Sequence, residues 1–185
     1  MKQKLVLYSL LIIGLTFFGC GSEKKQQLQK KEDPNKITLT TLKNDTILLE
    51  KTQQGIIFKE KPQTIIIIDI FATWCPPCRA QTKVLSNLKE KYKKQIKIIG
   101  ISLEEHIPTQ NLQNFAQKNN ANYPLAKPSP QNEKLINIIT EQLKLGKHFP
   151  IPLVVMYKDG KVINYYAGAT EEEFIESDLK KALGK

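Results

Sequence analysis

The order of apolar patterns along the chain predicts an α/β domain with one central sheet. The run Thr64–Ile70 contains four consecutive isoleucines without polar alternation, which is typical of a central strand covered on both faces. After it, Val84, Leu85, Leu88 and Tyr92 recur at the spacing of an amphipathic helix. Strand-like and helix-like segments then alternate towards the C-terminus, as expected for this fold class.

Before the central strand, short apolar segments predict an N-terminal β-hairpin. Ile37–Leu42 and Thr46–Glu50 are separated by three polar residues, 43 to 45, which indicate the turn. A third short strand is expected at Ile56–Phe58.

Beyond the central strand, the first helix is predicted to run to about Lys93. The segments expected to follow it are a strand at Ile96–Ile101, helices at Thr109–Lys118 and Gln131–Lys144, and strands at Ile151–Tyr157 and Lys161–Ala167. The last two strands flank Asp159-Gly160, a strong hairpin signal. The final helix is predicted to open with a capping box formed by Thr170 and Glu173.

The charge of the chain does not indicate a nucleic-acid partner. Basic residues outnumber acidic ones by 28 to 18, which gives a net charge of +10 over 185 residues. All the basic residues except Arg79 are lysines, and they are spread along the whole chain. Because no block of them could follow a phosphate backbone, we expect no binding to nucleic acid.

The N-terminal residues have the layout of an export signal. Lys2 and Lys4 precede the apolar run Leu5–Phe18, which as a helix would span about 21 Å, less than the ~30 Å hydrocarbon core of a membrane. Phe17-Phe18-Gly19-Cys20 resembles the cleavage box of bacterial lipoprotein signals. We therefore expect removal of residues 1–19 and lipidation of Cys20, with an uncleaved signal anchor as the alternative.

Residues 20–36 are expected to form a flexible tether between the lipid and the domain. Between Gly21 and Lys36 the chain has one large apolar residue, Leu28, so this segment buries too little to order itself. The globular domain is expected to cover residues 37–185. The resulting location is the extracytoplasmic face of a membrane, on the periplasmic side.

The three cysteines predict redox chemistry. With Cys20 assigned to lipid, Cys75 and Cys78 remain as one pair. A zinc site needs about four ligands and the chain adds only His106 and His148, so no metal is expected. A disulfide that encloses two residues stabilises a fold very little, because little loop entropy is removed. The two thiols carry both electrons themselves, so no cofactor is expected.

The position of the pair assigns a role to each cysteine. If Cys75 caps the helix, Pro76 occupies the first helical position, where its missing N–H costs nothing. The positive end of the helix dipole then favours a thiolate on Cys75, the nucleophile, while Cys78 resolves the mixed disulfide. Pro76 and Pro77 cannot donate an N–H, so the N–H of Cys78 is the main donor to Cys75. We expect the pKa of Cys75 to be moderately lowered.

Two segments resemble a known family. Asp69–Arg79, with the letters DIFATWCPPCR, is similar to the active-site segment of thioredoxin-fold proteins, especially the membrane-tethered TlpA/ResA-like thiol:disulfide oxidoreductases. Ile151-Pro152-Leu153, followed by VVMYKDGK, resembles the second landmark of that family. The resemblance covers roughly residues 37 to 183 and implies a thioredoxin-like fold, in which a central mixed sheet is flanked by helices. It also implies an insertion within Thr109–Lys144, between the cysteine helix and the strand after Pro152.

The resemblance also implies roles for further residues. Pro152 is expected to be cis and to lie beside the cysteines, where the backbone of Ile151 pairs with the bound substrate. Asp69 matches a buried acid that accepts the proton of Cys78, and burial raises the pKa of a carboxyl group. Trp74 is expected to cover the edge of the site. Gln81 departs from the family pattern, since some reducing members have an acidic residue there.

The expected function is reduction of disulfides in client proteins. The clients could include apocytochrome c, and a membrane-embedded thiol reductase is expected to supply the electrons. A disulfide donor would share every catalytic residue and differ in redox potential. A thiol peroxidase needs a threonine one helical turn before its cysteine, whereas Thr73 lies two residues before Cys75. A binding module that uses the groove around Pro152 without catalysis is the remaining alternative.

Overall fold

The computed structural model describes residues 33 to 185. In this part of the chain the strands are β1 (Lys36–Thr40), β2 (Thr46–Lys51), β3 (Ile56–Phe58), β4 (Ile65–Phe71), β5 (Ile96–Ser102), β6 (Leu153–Lys158) and β7 (Lys161–Ala167). The helices are α1 (Pro76–Tyr92), α2 (Thr109–Lys118), α3 (Pro130–Gln142) and α4 (Glu172–Leu183). Each strand and helix matches a predicted one within about two residues at either end, and the α/β fold class is confirmed.

The central sheet is mixed, as predicted, with the strand order β5-β4-β6-β7. β5 runs parallel to β4, while β6 pairs antiparallel with β4 and β7 pairs antiparallel with β6. All seven residues of β4 are buried. The isoleucine run therefore lies in the interior with neighbouring strands at both edges, as its lack of polar alternation predicts.

The N-terminal strands form a second sheet, which the expectation of one central sheet did not include. β1, β2 and β3 pair antiparallel in sequence order. In β1 the burial alternates strictly, with Ile37 and Leu39 inside and their neighbours exposed. A strand with one apolar face needs a single covering layer, so these strands pack across the central sheet instead of extending it.

The two faces of β4 pack into separate cores. The odd-numbered face, with Ile67 and Phe71, contacts apolar residues of α1, α2 and α4. The even-numbered face, with Ile66, Ile68 and Ile70, packs against α3 and the N-terminal sheet. Asp69 lies on the odd-numbered face, the same face that packs against the helix of the cysteines.

The predicted capping box of α4 is wrong. The helix begins at Glu172, the N-cap position is held by Glu171, and no side chain caps the first turn. The hydroxyl of Thr170 instead donates to the carbonyl of Gly168 at 3.4 Å. The reason is tertiary, because the N–H of Thr170 is bound by a side chain of α1 and the helix starts only after that contact.

The predicted signal segment, Cys20 and most of the predicted tether lie outside the described residues. Within residues 33 to 185, no helix combines the length and apolar character that a membrane span requires.

Candidate active site

Cys75 and Cys78 form a disulfide at the N-terminus of α1. The two Cα atoms lie 5.3 Å apart. Cys75 is the N-cap residue, and its Sγ accepts a hydrogen bond from the N–H of Cys78 at 3.2 Å. Pro76 and Pro77 occupy the first two helical positions, so neither offers an N–H to the sulfur. Both cysteines are buried, with 2% of Cys75 and 0% of Cys78 exposed.

The second landmark lies directly beside the disulfide. The Ile151–Pro152 peptide bond is cis, and the carbonyl oxygen of Ile151 lies 3.9 Å from Sγ of Cys75. Pro152 immediately precedes β6, and its own carbonyl accepts the N–H of Gly168 at 2.8 Å. The backbone at Ile151 therefore lies next to the sulfur without belonging to a strand of the central sheet.

Asp69 lies in the interior of β4, with 1% of the residue exposed. Its Oδ2 accepts a hydrogen bond of 2.7 Å from the hydroxyl of Tyr123, and its Oδ1 has no hydrogen-bond partner among the described residues. Burial raises the pKa of Asp69 to about 7, while the hydrogen bond from Tyr123 lowers it. Near neutral pH this carboxyl group can therefore both take up and release a proton.

Glu104 holds the loop that precedes the cysteines. Its carboxylate accepts the backbone N–H of Thr73 at 2.6 Å and the hydroxyl groups of Thr73 and Ser102, each at 3.0 Å. The guanidinium of Arg79 donates to the carbonyl of the same threonine at 3.5 Å. The residue two positions before Cys75 is thus bound through its N–H, its carbonyl and its side chain.

Gln81 connects α1 to the segment before α4. Its Oε1 accepts the N–H of Thr170 at 2.8 Å, and its Nε2 has no hydrogen-bond partner in the described part of the chain. The side chain is buried, with 1% of the residue exposed. As a neutral amide it does not titrate, so proton transfer at this position is not available to the site.

An exposed aromatic side chain lies next to the disulfide, and a cleft lies further along the same side of the chain's fold, against α3. Trp74 is 66% exposed, so its ring is available to a bound partner. A cleft of about 920 Å³ lies between α3, the end of β5 and the loop before Ile151. Its lining includes Glu104, Phe149 and Leu103. Within residues 33 to 185 no cluster of three or more metal-ligating side chains occurs.

A buried disulfide at a helix N-terminus, next to a cis-proline and at the end of a strand of a mixed sheet, is the arrangement of thioredoxin-fold proteins that carry out thiol–disulfide exchange. A family model described as thioredoxin-like matches residues 63–162, and the chain belongs to this family. Membership together with the Cys75–Cys78 pair makes it a thiol-disulfide oxidoreductase, as the sequence predicts.

Comparisons with individual proteins agree with this class. The thiol-disulfide oxidoreductase ResA of Bacillus cereus is 27% identical over 191 residues, with 98% of each chain covered. A thiol:disulfide interchange protein of Chlorobium tepidum superposes with a TM-score of 0.65 at 19% identity, over 81% of this chain and 94% of that one. StoA of Bacillus subtilis superposes with a TM-score of 0.57 at 15% identity, over 80% and 98% of the respective chains. The two structures support the fold, and the relative supports the resemblance to ResA-like proteins.

Two residues of the site, Glu104 and Tyr123, were not predicted from the sequence. Glu104 follows β5 at the same sheet edge at which β4 delivers the cysteines, and the ends of neighbouring parallel strands meet at one edge. Its position directly after β5 is therefore a signal in the sequence that could have identified Glu104. Tyr123 lies in an irregular segment between α2 and α3 and has no comparable signal in the sequence.

The burial of Asp69 predicts that the stability of the fold depends on pH, and that replacing Asp69 by asparagine removes this dependence. Because folding raises the pKa from 3.8 to about 7, the folded state holds a proton that the unfolded state has lost between about pH 4 and pH 7. The stability contributed by this group is therefore present below pH 4 and is lost as the pH rises to 7. The difference in unfolding free energy between Asp69→Asn and the wild type should move in favour of the variant by about 2 to 4 kcal/mol from pH 4 to pH 8.

Urea denaturation of the two oxidised proteins at pH 4, 6 and 8 measures this change. Any constant penalty of the asparagine cancels in the comparison, because only the dependence on pH is used. A difference that stays the same at all three pH values would contradict the raised pKa.

Proposed function

We propose that this protein is a lipid-anchored, extracytoplasmic oxidoreductase that reduces disulfides of client proteins, with apocytochrome c among the candidate clients. In this proposal a membrane-embedded thiol reductase supplies the electrons. The single observation that carries it is the position of the Cys75 sulfur, 3.9 Å from the carbonyl of Ile151 at the cis-proline. A client strand that pairs with the backbone of Ile151 brings its own sulfur to Cys75.

The reaction uses three groups of the site. The Cys75 thiolate attacks one sulfur of the client disulfide, the client disulfide breaks, and a mixed disulfide forms. Asp69 then takes the proton from Cys78, whose thiolate attacks Cys75 and releases the second client thiolate. Two electrons pass from the dithiol to the client, and the oxidised Cys75–Cys78 pair remains.

A reducing role is supported by the few hydrogen bonds available to the Cys75 sulfur. Strong oxidants have a strongly stabilised thiolate, which favours their reduced form. Here Pro76 and Pro77 donate nothing, and the N–H of Cys78 at 3.2 Å is the donor within α1. A thiolate stabilised by one N–H and the helix dipole leaves the disulfide comparatively stable, which lowers the redox potential.

The surroundings support a polypeptide client. Exposed Trp74 offers an aromatic surface beside the disulfide. The cleft of about 920 Å³ is lined by Glu104, which binds Thr73, and by Phe149, two residues before Ile151, so it offers room for residues that flank a client cysteine. A peroxidase reaction is less well supported, because the hydroxyl of Thr73 donates to Glu104.

The point at which the chain enters the domain is compatible with the proposed membrane tether. The carbonyl of Asn35 accepts the N–H of Lys51, and the next residue, Thr52, packs beside Gly160 in the turn between β6 and β7. That turn lies at the N-terminal end of β4, because Tyr157 at the end of β6 pairs with Ile66. The disulfide follows the opposite end of β4, so the point at which a tether would join the domain lies far from the cysteines and does not cover them.

Anchoring through Cys20 predicts a lipidated protein in cells. Labelled palmitate should be incorporated into the wild-type chain and not into Cys20→Ser. Membrane-bound wild-type protein without label, or label that persists in the variant, would contradict the lipoprotein proposal.

The separate roles of the cysteines predict different trapping behaviour. A Cys78→Ser variant cannot resolve the mixed disulfide, so a client disulfide should leave a covalent complex through Cys75, visible on a non-reducing gel. The matched Cys75→Ser variant should form little of this complex, because its remaining thiol is fully buried. Equal trapping by both variants would contradict the assignment.

The redox potential decides between a reductant and a disulfide donor. Equilibration of the Cys75–Cys78 pair with glutathione or dithiothreitol buffers should give a value near or below about −230 mV, towards the ~−270 mV of thioredoxin. A value near −120 mV, typical of a strong oxidant, would overturn the reducing role and favour donation of disulfides.

A further inference from the structure

Tyr123 reaches the interior of the domain from the segment between α2 and α3. The backbone on both sides of Leu125 is bound to Gly100 of β5, since Gly100 donates to the carbonyl of Pro124 at 2.9 Å and accepts the N–H of Ala126 at 2.8 Å. Gly100 leaves room for the tyrosine, because a Cβ on it would lie 3.2 Å from the ring of Tyr123 and 2.4 Å from Leu125. The ring is therefore held against β5 by contacts outside the active-site helix.

The tyrosine hydroxyl is the hydrogen-bond partner that the described residues provide for the Asp69 carboxyl group. Gly100 pairs with Asp69 in the register of β4 and β5, so a ring above Gly100 lies beside that carboxyl. The hydroxyl donates to Oδ2 at 2.7 Å, and Oδ1 has no partner within residues 33 to 185. Both residues are buried, with 1% of Asp69 and 4% of Tyr123 exposed.

The tyrosine hydroxyl lies near the turn of α1 that carries Cys78. The Thr82 hydroxyl donates to the carbonyl of Cys78 at 3.0 Å, and the Thr82 side chain is a neighbour of the Tyr123 hydroxyl. Thr82 is completely buried. Thr82 thus links the surroundings of the Tyr123 hydroxyl to the backbone of the resolving cysteine.

We propose that Tyr123 is a positioning residue that holds the carboxyl group of Asp69 ready to take the proton of Cys78. This inference rests on the proposed function, in which Asp69 is the proton acceptor. During resolution the proton passes from the Cys78 thiol to an oxygen of the Asp69 carboxylate. The Cys78 thiolate then forms the bond to Cys75, the bond from Cys75 to the client breaks, and the client leaves as a thiolate. Tyr123 keeps its own proton throughout.

The hydrogen bond acts by favouring the ionised carboxylate. A donor to a carboxylate stabilises its charged form, and inside the protein this opposes the burial that favours the protonated form. Burial also raises the pKa of Tyr123 well above its ordinary value, so the hydroxyl stays protonated and available as a donor. Without this donor, a larger fraction of Asp69 carries a proton at pH 7 and cannot accept one from Cys78.

Tyr123→Phe tests the inference, because it removes the hydroxyl and keeps the ring. Full-length reduced protein in detergent is mixed with dithiobis(nitrobenzoic acid), and the second release of coloured thiolate reports the attack of Cys78 on the mixed disulfide. The rate is measured from pH 5 to pH 9. The midpoint of its pH profile should lie about one pH unit higher in the variant than in the wild type. Release at pH 6 should then be up to about tenfold slower, while the rates converge at pH 9.

Tyr157→Phe is the matched control. It removes the hydroxyl of another buried tyrosine, which donates to Gln142 at 3.0 Å on the other side of the sheet. Its rate profile should coincide with that of the wild type. A Tyr123→Phe profile that also coincides with the wild type, while Asp69→Asn flattens it, would overturn the inference and leave the role of Asp69 intact.

A measurement that does not depend on turnover separates the two proposals. In the oxidised protein, the carbon-13 signal of the Asp69 carboxyl group should titrate at a higher pH in Tyr123→Phe than in the wild type. An unchanged midpoint would overturn the inference even if the variant were slow for other reasons. If Asp69→Asn leaves the release rates unchanged at every pH, the proposed role of Asp69 fails and the role of Tyr123 fails with it.

Discussion

Complete burial of β4 is the constraint on which the rest of the structure depends. A strand with no exposed residue needs a neighbour at each edge and a covering layer on each face. β5 and β6 supply the neighbours, three helices cover one face, and α3 with the N-terminal sheet covers the other. β4 ends at Phe71, and after a short loop the chain starts α1 at the same end of the sheet, with Cys75 as the N-cap residue.

The same burial sets the pKa of Asp69, the proton acceptor of the proposed reaction. An exposed aspartate loses its proton at a pH far below neutral. It is therefore a weak base at pH 7 and a poor acceptor for the proton of a thiol. Within β4, Asp69 is removed from water and its pKa rises to about 7. The neighbouring isoleucines offer the carboxyl group no hydrogen bond in place of water. The Tyr123 hydroxyl supplies one. Desolvation and hydrogen bonding thus act in opposite directions on one carboxyl group.

Contacts between distant segments hold the disulfide in place. Glu104 binds the loop before Cys75, Gln81 binds the segment before α4, and that segment binds Pro152 through the N–H of Gly168. The residues joined by these contacts lie between 16 and 89 positions apart in the chain. The geometry of the two cysteines relative to the cis-proline therefore depends on the packed domain, and the short motif by itself cannot supply it.

The amino-acid sequence by itself determined the central strand, the helices, the hairpins and the identity of the redox pair. Those features follow from local signals: an unbroken apolar run, a helical spacing of apolar residues, and two prolines directly after Cys75. Only the tertiary structure decided that the N-terminal strands form their own sheet, that α4 begins without the Thr170 cap, and that Tyr123 meets Asp69. These outcomes depend on contacts between residues far apart in the chain, which form only when the layers pack, and no local pattern records them.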